Sequence, residues 1–257
     1  MCSKERKKHI NMITASIVLF NQDLKTLKKT VTSFLQTPIN KKLFLIDNSS
    51  ENKLQEFFNQ PEIEYIFIGK NIGFGAAHNM ILNKISSKYH LILNPDVVFN
   101  VDVIPTLIKV LETNINIAFT TPKVIYPNND LQYVCRKHPS FFDLINRRLH
   151  IFKTQIFKNE YRDKNLEKPF YPDFIHGCFM LFRTKDLQSL NGFDERYFLY
   201  MEDADICRKI DKLGKKKLYF PDVEIIHHHQ KGSSKHLKLF LYHITSAIKY
   251  FLKWGFR

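Results

Sequence analysis

Three acids fall close together at Glu202, Asp203 and Asp205, directly after the aromatic run Tyr197-Phe198-Leu199-Tyr200. A carboxylate beside aromatic walls can serve as a general base toward a hydroxyl. Acids in the first turn of a helix also offset its dipole, and the two roles are compatible. On a helix Glu202 and Asp205 share a side, whereas Asp203 points elsewhere. Asp96 ends the apolar run Leu91-Ile92-Leu93 through the turn Asn94-Pro95-Asp96. A carboxylate there can hold Mg²⁺ or Mn²⁺, ions that take few protein ligands and leave positions for phosphate oxygens. Asn-Pro-Asp is equally a plain turn, with Asn94 a weaker ligand than a carboxylate. Asp47, in Ile46-Asp47-Asn48-Ser49-Ser50, can accept from the ring N–H of a pyrimidine, although a turn cap is the simpler account of it alone. His227-His228-His229 follow an apolar run, and along extended chain His227 and His229 share a face. The stretch Asn71-Ile72-Gly73-Phe74-Gly75-Ala76-Ala77-His78-Asn79 is a glycine-rich turn entering a helix, where backbone can approach a ligand and the helix N-terminus favours an anion. It is not a GxGxxG fingerprint, and no GxxxxGK[ST] loop is present.

These residues need elements to hold them. Ala15–Phe20, Leu43–Asp47, Ile63–Ile68, His90–Leu93 and Ile117–Thr120 are β-rich apolar runs. Between them Leu24, Leu27, Val31 and Phe34 recur at helical spacing, as do the apolar positions of Phe74–Ile85 and Val103–Leu111. Such alternation predicts an α/β fold with a mostly parallel, doubly wound sheet and helices on both faces. Ligands in that architecture bind at the carboxyl ends of the strands, where both Asp47 and Asp96 fall. Pro122 to Pro172 is less regular, and its mixed-charge part, Lys153–Lys168, reads as a loop or flap. Regular structure is expected to return at Phe174–Phe182, Asp203–Leu213 reads as a helix stopped by Gly214, and Lys217–Phe220 and Val223–Ile226 read as short strands. Lys235–Lys253 is an amphipathic helix whose stripe Leu237, Leu241, Ile244, Ile248 and Phe251 is expected to pack on the body, with a membrane interface as the alternative. The expected segments are a basic tail (1–12), a first α/β half (13–121), a second half holding the acid cluster (122–234) and the terminal helix (235–257).

An apolar share of 44% suits a packed core rather than disorder. Lys and Arg exceed Asp and Glu by 39 to 25, a field that attracts polyanions, anionic lipid or phosphorylated substrates. Much of the excess lies late, in Arg208–Lys217 and Lys231–Lys238. The four cysteines are scattered without CxxC spacing, which suits reduced thiols in the cytoplasm. Ile13–Phe20 is too short to span a bilayer and lacks a small-residue cleavage site. A cytoplasmic location is expected, with the inner face of the cytoplasmic membrane as a place of peripheral contact. No nucleic-acid module is visible, and none is expected as a partner.

Taken in order, ASIVLFN, LIDNSS, NIGFGAAHN, LILNPDV, HGCFMLFR, NGFDERYFLYMEDADICRKI and PDVEIIHHHQKGSS resemble the family-2 glycosyltransferases of GT-A fold, rhamnosyltransferase-like branch. The resemblance covers most of Ala15 to Ser234, and the tail LYHITSAIKYFLKWG is similar to the helical ending of that branch. It implies inverting transfer from a nucleotide-diphosphate sugar, best matched by dTDP-L-rhamnose, to a hydroxyl of a cell-surface polysaccharide or lipid-linked glycan precursor. It assigns Asp203 as base, Asp96 and His227 to a divalent metal, Mg²⁺ or Mn²⁺, and Asp47 to the pyrimidine. Asn71 and Gly73 would line the nucleotide pocket, and Asn79, Asn94, Gly177 and Glu202 would complete substrate binding. A hexosyl or N-acetylhexosaminyl transferase using a UDP-sugar is the nearest alternative. A non-catalytic basic protein that binds membrane or nucleic acid is the alternative of a different class, and it leaves the ordered acids without a reason. His176 stands before Gly177 where the family commonly has a smaller residue.

Overall fold

The computed structural model describes residues 12–149, 151–228 and 237–256. The expected basic tail (bar Met12), His229 and most of Lys231–Lys238 lie outside the described residues. In chain order the strands are β1 (Met12–Leu19), β2 (Asn40–Asp47), β3 (Ile63–Phe67), β4 (Tyr89–Leu93), β5 (Val97–Phe99), β6 (Ile117–Ile125), β7 (Cys135–Arg136), β8 (Phe174–Ile175), β9 (Phe179–Arg183) and β10 (Lys216–His227). The α-helices are α1 (Leu24–Leu35), α2 (Phe74–Asn79), α3 (Val103–Thr113), α4 (Phe141–Leu149), α5 (Lys153–Asn159), α6 (Thr184–Ser189), α7 (Glu202–Lys212) and α8 (Leu237–Trp254).

The main sheet runs β3-β2-β1-β4-β9-β6-β10-β5, with β7 and β8 paired apart from it. β1 to β4 are mutually parallel, β9 is antiparallel to β4 and β6, and β10 is parallel to β6 and antiparallel to β5. The expected mostly parallel α/β sheet is therefore present. Period-two alternation gives it two apolar faces. Ile17, Leu19, Leu43 and Leu45 join the main core with Leu27, Val31 and Phe34 of α1. Val18, Phe44 and Ile46 point to the other side, against Ala77 of α2 and Ile81. The order reverses between β2 and β4 on either side of β1, which opens a crevice at the carboxyl ends of these strands. β9 and β10 come from the second half of the chain yet sit among strands of the first, so both halves share one sheet.

Several elements differ from expectation. The helix expected over Phe74–Ile85 stops at Asn79, followed by a 3₁₀ turn at Leu82–Lys84. Beyond Asn79 the carbonyls of Leu82 and Ile85 accept from Gln188 Nε2 at 3.1 and 3.0 Å, a distant partner that fixes this turn. The expected flap begins with a helix, α5. The ordered segment expected at Phe174–Phe182 holds two strands, β8 and β9, parted by a bend at His176-Gly177-Cys178. The two short late strands are one, β10, bulged between Phe220 and Glu224, where Pro221 cannot donate to the ladder.

The terminal helix corrects a further expectation. Of its aliphatic stripe only Phe251 is buried; Leu241 and Ile248 are 52% and 54% exposed. The face that docks is polar and aromatic instead. Ser246 Oγ donates to Leu199 O at 2.8 Å, Lys249 Nζ to Arg196 O at 2.6 Å, and the Trp254 indole to Asp205 at 2.7 Å. Specific hydrogen bonds and ion pairs chose the face, and the apolar stripe was left outside.

A buried polar chain runs beneath β1. Thr14 Oγ1 lies 2.8 Å from His90 Nδ1, His90 Nε2 lies 2.9 Å from Ser16 Oγ, and Ser16 Oγ lies 2.7 Å from His78 Nδ1. Burial pulls His90 down to about 3 and lowers His78 as well, its neighbour His90 adding to the effect. Both rings are thus neutral when folded, while the unfolded chain takes up protons below about pH 6.5. The stability they lend is complete above that pH and is lost as pH falls toward the folded values, by up to about 1.4 kcal/mol per pH unit for each ring. Thermal melts are expected to show a steady fall in midpoint between pH 7 and 5; a flat profile would contradict this neutral pair.

Candidate active site

At the end of β2 Asp47 is buried, with Oδ1 accepting from Ser49 N at 2.9 Å and Oδ2 from the Tyr65 hydroxyl at 2.6 Å. Burial and then Asp47 hold Tyr65 above the usual phenol range, so it remains a donor. The neighbouring Asn48 ties this edge to the glycine turn, its amide donating to Gly73 O at 3.0 Å and Asn71 Oδ1 at 3.3 Å. Asn71 Oδ1 also accepts from Gly73 N at 2.9 Å. Gly73 has φ +94°, and a Cβ there would stand 2.5 Å from Phe198 O. No other residue fits so close to that backbone in that conformation. Asn79 is committed to Phe193, donating to its carbonyl at 2.8 Å and accepting from its N–H at 2.9 Å.

The Asn94-Pro95-Asp96 turn after β4 is clamped on three sides. Asn94 N donates to Cys178 O at 2.9 Å, Thr30 Oγ1 to Pro95 O at 2.8 Å, and His228 N to Asp96 O at 2.9 Å. This brings Asp96 Oδ1 to 3.3 Å from His227 Nε2. Asn94 Nδ2 is 3.4 Å from the same ring nitrogen, and Gln132 Oε1 is 3.0 Å from Nδ1. Burial works against charge on His227, but Cys178 and Asp96 outweigh it and push the ring up to about 10. The Asp96 carboxylate beside the ring favours a cation there, and a divalent ion competes with the ring proton for the same nitrogen. Asp96 and His227 offer one oxygen and one nitrogen ligand. Among the described residues no three acid, His or Cys side chains converge to cage a metal. The pair therefore fits an ion completed by phosphate oxygens and water, the usual manner of Mg²⁺.

Asp203 lies in the first turn of α7. Its Oδ2 stands 3.3 Å from both His176 Nδ1 and Gly177 N, and its Oδ1 accepts from Ala204 N at 2.8 Å. Burial, with Arg136 next in weight, pulls His176 down to about 4, so a neutral ring protonated on Nδ1 donates to Asp203. Glu202 is buried, Oε2 without a partner, and burial together with Asp203 raises it well above the carboxylate range. Burial favours the protonated form of Glu202, while the donors of the bend go to Asp203. Asp205 is fully buried and faces α8, bound by Trp254, Lys253 and the Tyr197 hydroxyl. The helix is entered through Tyr200 and Met201, consecutive non-glycine residues at φ +69° and +71°. Such strain persists only where surroundings enforce it. Here Ser246 holds Leu199 O and the His243 ring meets Tyr200 at 5.3 Å.

The bend between β8 and β9 joins these parts. Gly177 donates to Asp203, while Cys178 touches both Asn94 and His227. The expected residues thus fall into two linked sets, Asp203, Gly177, Asn94, Asp96 and His227 around the bend, and Asp47, Asn71 and Gly73 around Asn48. The sequence reading passed over Asn48, Tyr65, Cys178 and two arginines. Arg136 on β7 meets Glu160 at 3.2 Å, leaves Nε and Nη1 buried without partners, and is electrostatically coupled to Asp203 and to Arg147 of α4. Only the β7–β8 pairing brings Arg136 there, so no local pattern could announce it.

A sequence profile described as glycosyl transferase family 2 matches residues 14–189. The rhamnosyltransferase WbbL of Escherichia coli K12 is 31% identical over 222 residues, 81% of each chain. An N-acetylglucosaminyl-diphospho-decaprenol L-rhamnosyltransferase of Mycobacterium tuberculosis is 26% identical, covering 80% of this chain and 73% of that one. Among solved structures, GalNAc-T7 with UDP, GalNAc and Mn²⁺ superposes with a TM-score of 0.68 at 17% identity, over 87% of this chain and 44% of that one. The mannosyltransferase PcManGT of Pyrobaculum calidifontis with GDP-Man and Mn²⁺ gives 0.61 at 14%, over 87% and 58%. This chain thus spans less than two thirds of either solved chain, and these likenesses concern the GT-A fold.

Proposed function

The chain belongs to glycosyl transferase family 2 and is a glycosyltransferase, and from that premise we propose that it moves L-rhamnose from dTDP-L-rhamnose to a hydroxyl of a glycan or lipid-linked glycan with inversion. The rhamnosyltransferase relatives support the donor. The observation that carries the mechanism is the His176-Gly177-Cys178 bend, which touches Asp203 on one side and the Asp96–His227 pair on the other. Base and diphosphate end are then neighbours, as a single in-line displacement requires.

In this reading Asp47 and Tyr65 receive the pyrimidine, and Asn48 and Asn71 hold the Gly73 turn against the nucleotide. Asn79 positions that turn through Phe193. Asp203 takes the acceptor's proton, oriented by His176 and the Gly177 N–H, while protonated Glu202 offers a hydrogen bond to substrate. Asp96 and His227 would hold Mg²⁺ or Mn²⁺, with Asn94 beside them. When bound, that ion neutralises charge on the departing diphosphate, so no paired acid is required.

The test is a donor screen with dTDP-L-rhamnose and several UDP-sugars, following release of nucleoside diphosphate with and without divalent metal. Consumption of dTDP-L-rhamnose alone, dependent on metal, is expected; preferential turnover of a UDP-hexose would overturn the donor. Asp96→Ala should raise the metal concentration needed for donor binding by at least about tenfold, the scale of a disturbed metal shell. An unchanged metal titration would remove Asp96 from this role.

A further inference from the structure

The acids and glycines of the chain are absorbed by the site, but its largest exposed apolar surface is not. Leu241, Ile248 and Leu252 of α8 face outward, as do Phe142 and Leu149 of α4 and Phe157 of α5. Ring contacts join the two regions: Phe141 of α4 meets Phe251 and Phe256 at 5.9 and 6.2 Å. Phe142 in turn meets Phe152 at 5.6 Å, ahead of α5. Isolated exposed aliphatics need no explanation, whereas a joined set across three helices marks an interaction surface.

Charge identifies the occupant. α8 and α5 contain no acidic residue; Lys249 and Lys253 of α8 turn to the body of the protein, while Lys238 of α8 and Lys153 and Lys158 of α5 are exposed. The single acid of α4, Asp143, accepts from Ser140 Oγ at 2.6 Å. A second copy laid on this face would set these exposed lysines against one another with no carboxylate of α5 or α8 between them. Apolar side chains edged by lysines suit the interface of an anionic bilayer. No helix among the described residues is long and apolar enough to cross a membrane.

We propose that α4, α5 and α8 together form a docking surface for anionic phospholipid, lying in the bilayer interface. α8 also grips the turn before the base through Ser246 and His243, and α4 brings Arg147 within electrostatic reach of Asp203. Docking there holds the acceptor side of the site against the membrane. The docking deepens the transferase reading, since it makes the acceptor a lipid-linked one, and rests on that reading for this consequence alone.

The experiment is flotation of the full chain with phosphatidylcholine vesicles, with and without phosphatidylglycerol, at two salt concentrations. Binding is expected with phosphatidylglycerol and should weaken in high salt. Leu241→Asp with Ile248→Asp, and separately Leu149→Asp with Phe157→Asp, should each lower it about tenfold or more. Leu241→Ile with Ile248→Leu should retain it, and protection from melting by dTDP should be unchanged in all variants. Wild-type chain that stays off anionic vesicles would overturn the proposal, as would equal binding by both aspartate variants. A wild-type dimer that the α8 aspartates dissociate would overturn it in favour of a second copy. Vesicle binding without turnover of dTDP-L-rhamnose would leave the surface standing and refute the rhamnosyl-transfer reading; turnover without vesicle binding would do the reverse.

Discussion

Asp203→Asn is expected to lower turnover by about 10²–10⁴-fold, the range contributed by a positioned general base, while donor affinity stays within a few fold. Asparagine keeps the volume of the side chain and can still accept from the Gly177 N–H, now 3.3 Å from Oδ2. It cannot take a proton, so the loss should fall on kcat rather than on donor KM. Glu202→Gln is the informative control. Glu202 is held protonated by burial and by Asp203, and glutamine mimics that neutral acid, so the cost should be far smaller. The two variants separate the role of a base from that of a neutral acid that only donates a hydrogen bond. Release of nucleoside diphosphate with acceptor present gives turnover, and protection from melting by nucleotide gives donor binding. Near-normal turnover by Asp203→Asn would end the assignment.

The second large effect is on stability. Asp205→Ala removes a fully buried carboxylate bound by the Trp254 indole at 2.7 Å, Lys253 Nζ at 2.7 Å and the Tyr197 hydroxyl at 3.2 Å. Breaking a buried pair from one side costs about 3–5 kcal/mol. For a chain of this size each kcal/mol shifts the melting midpoint by roughly 2–4 °C. Lys253 keeps Asp194 at 2.7 Å, which moderates the loss on that side. Because the same helix enforces the strained turn at Tyr200 and Met201, activity is expected to fall at temperatures where the chain is still folded. Ending the chain before α8 should be worse, since Asp205 would then be left buried without its indole and ammonium partners. A cost below about 1 kcal/mol for Asp205→Ala, read from denaturant melts, would show that α8 is not held this way.

Much of the fold could be read from local pattern. β1 to β4 and α1 are runs whose period and capping leave little choice: Asp23 caps α1 through Thr26 N at 2.8 Å, and the strands are apolar on both faces. The placing of the site was legible because strand-ending Asp47 and Asp96 must share an edge in a parallel sheet. Less was legible where distant partners decide. The helix begun at Phe74 carries a helical pattern to Ile85, yet it ends at Asn79, and the segment beyond is held by Gln188 through the Leu82 and Ile85 carbonyls. β7 and β8 exist only by pairing with each other, and without them Arg136 and His176 do not reach Asp203.

The cluster at Glu202, Asp203 and Asp205 divides the two kinds of information most clearly. Residue type and order by themselves determined that acids would stand at the start of a helix after an aromatic run, and the resemblance picked out the middle one as base. Tertiary structure alone decided the separate tasks. Glu202 is buried with Oε2 unpartnered and is neutralised, Asp203 meets the bend after β8, and Asp205 anchors α8. The same holds for α8, whose stripe was evident from spacing while its docking face was not. Periodicity records which residues share a side of a helix; which side is buried depends on partners elsewhere in the chain, here Leu199, Arg196, Asp194 and Asp205.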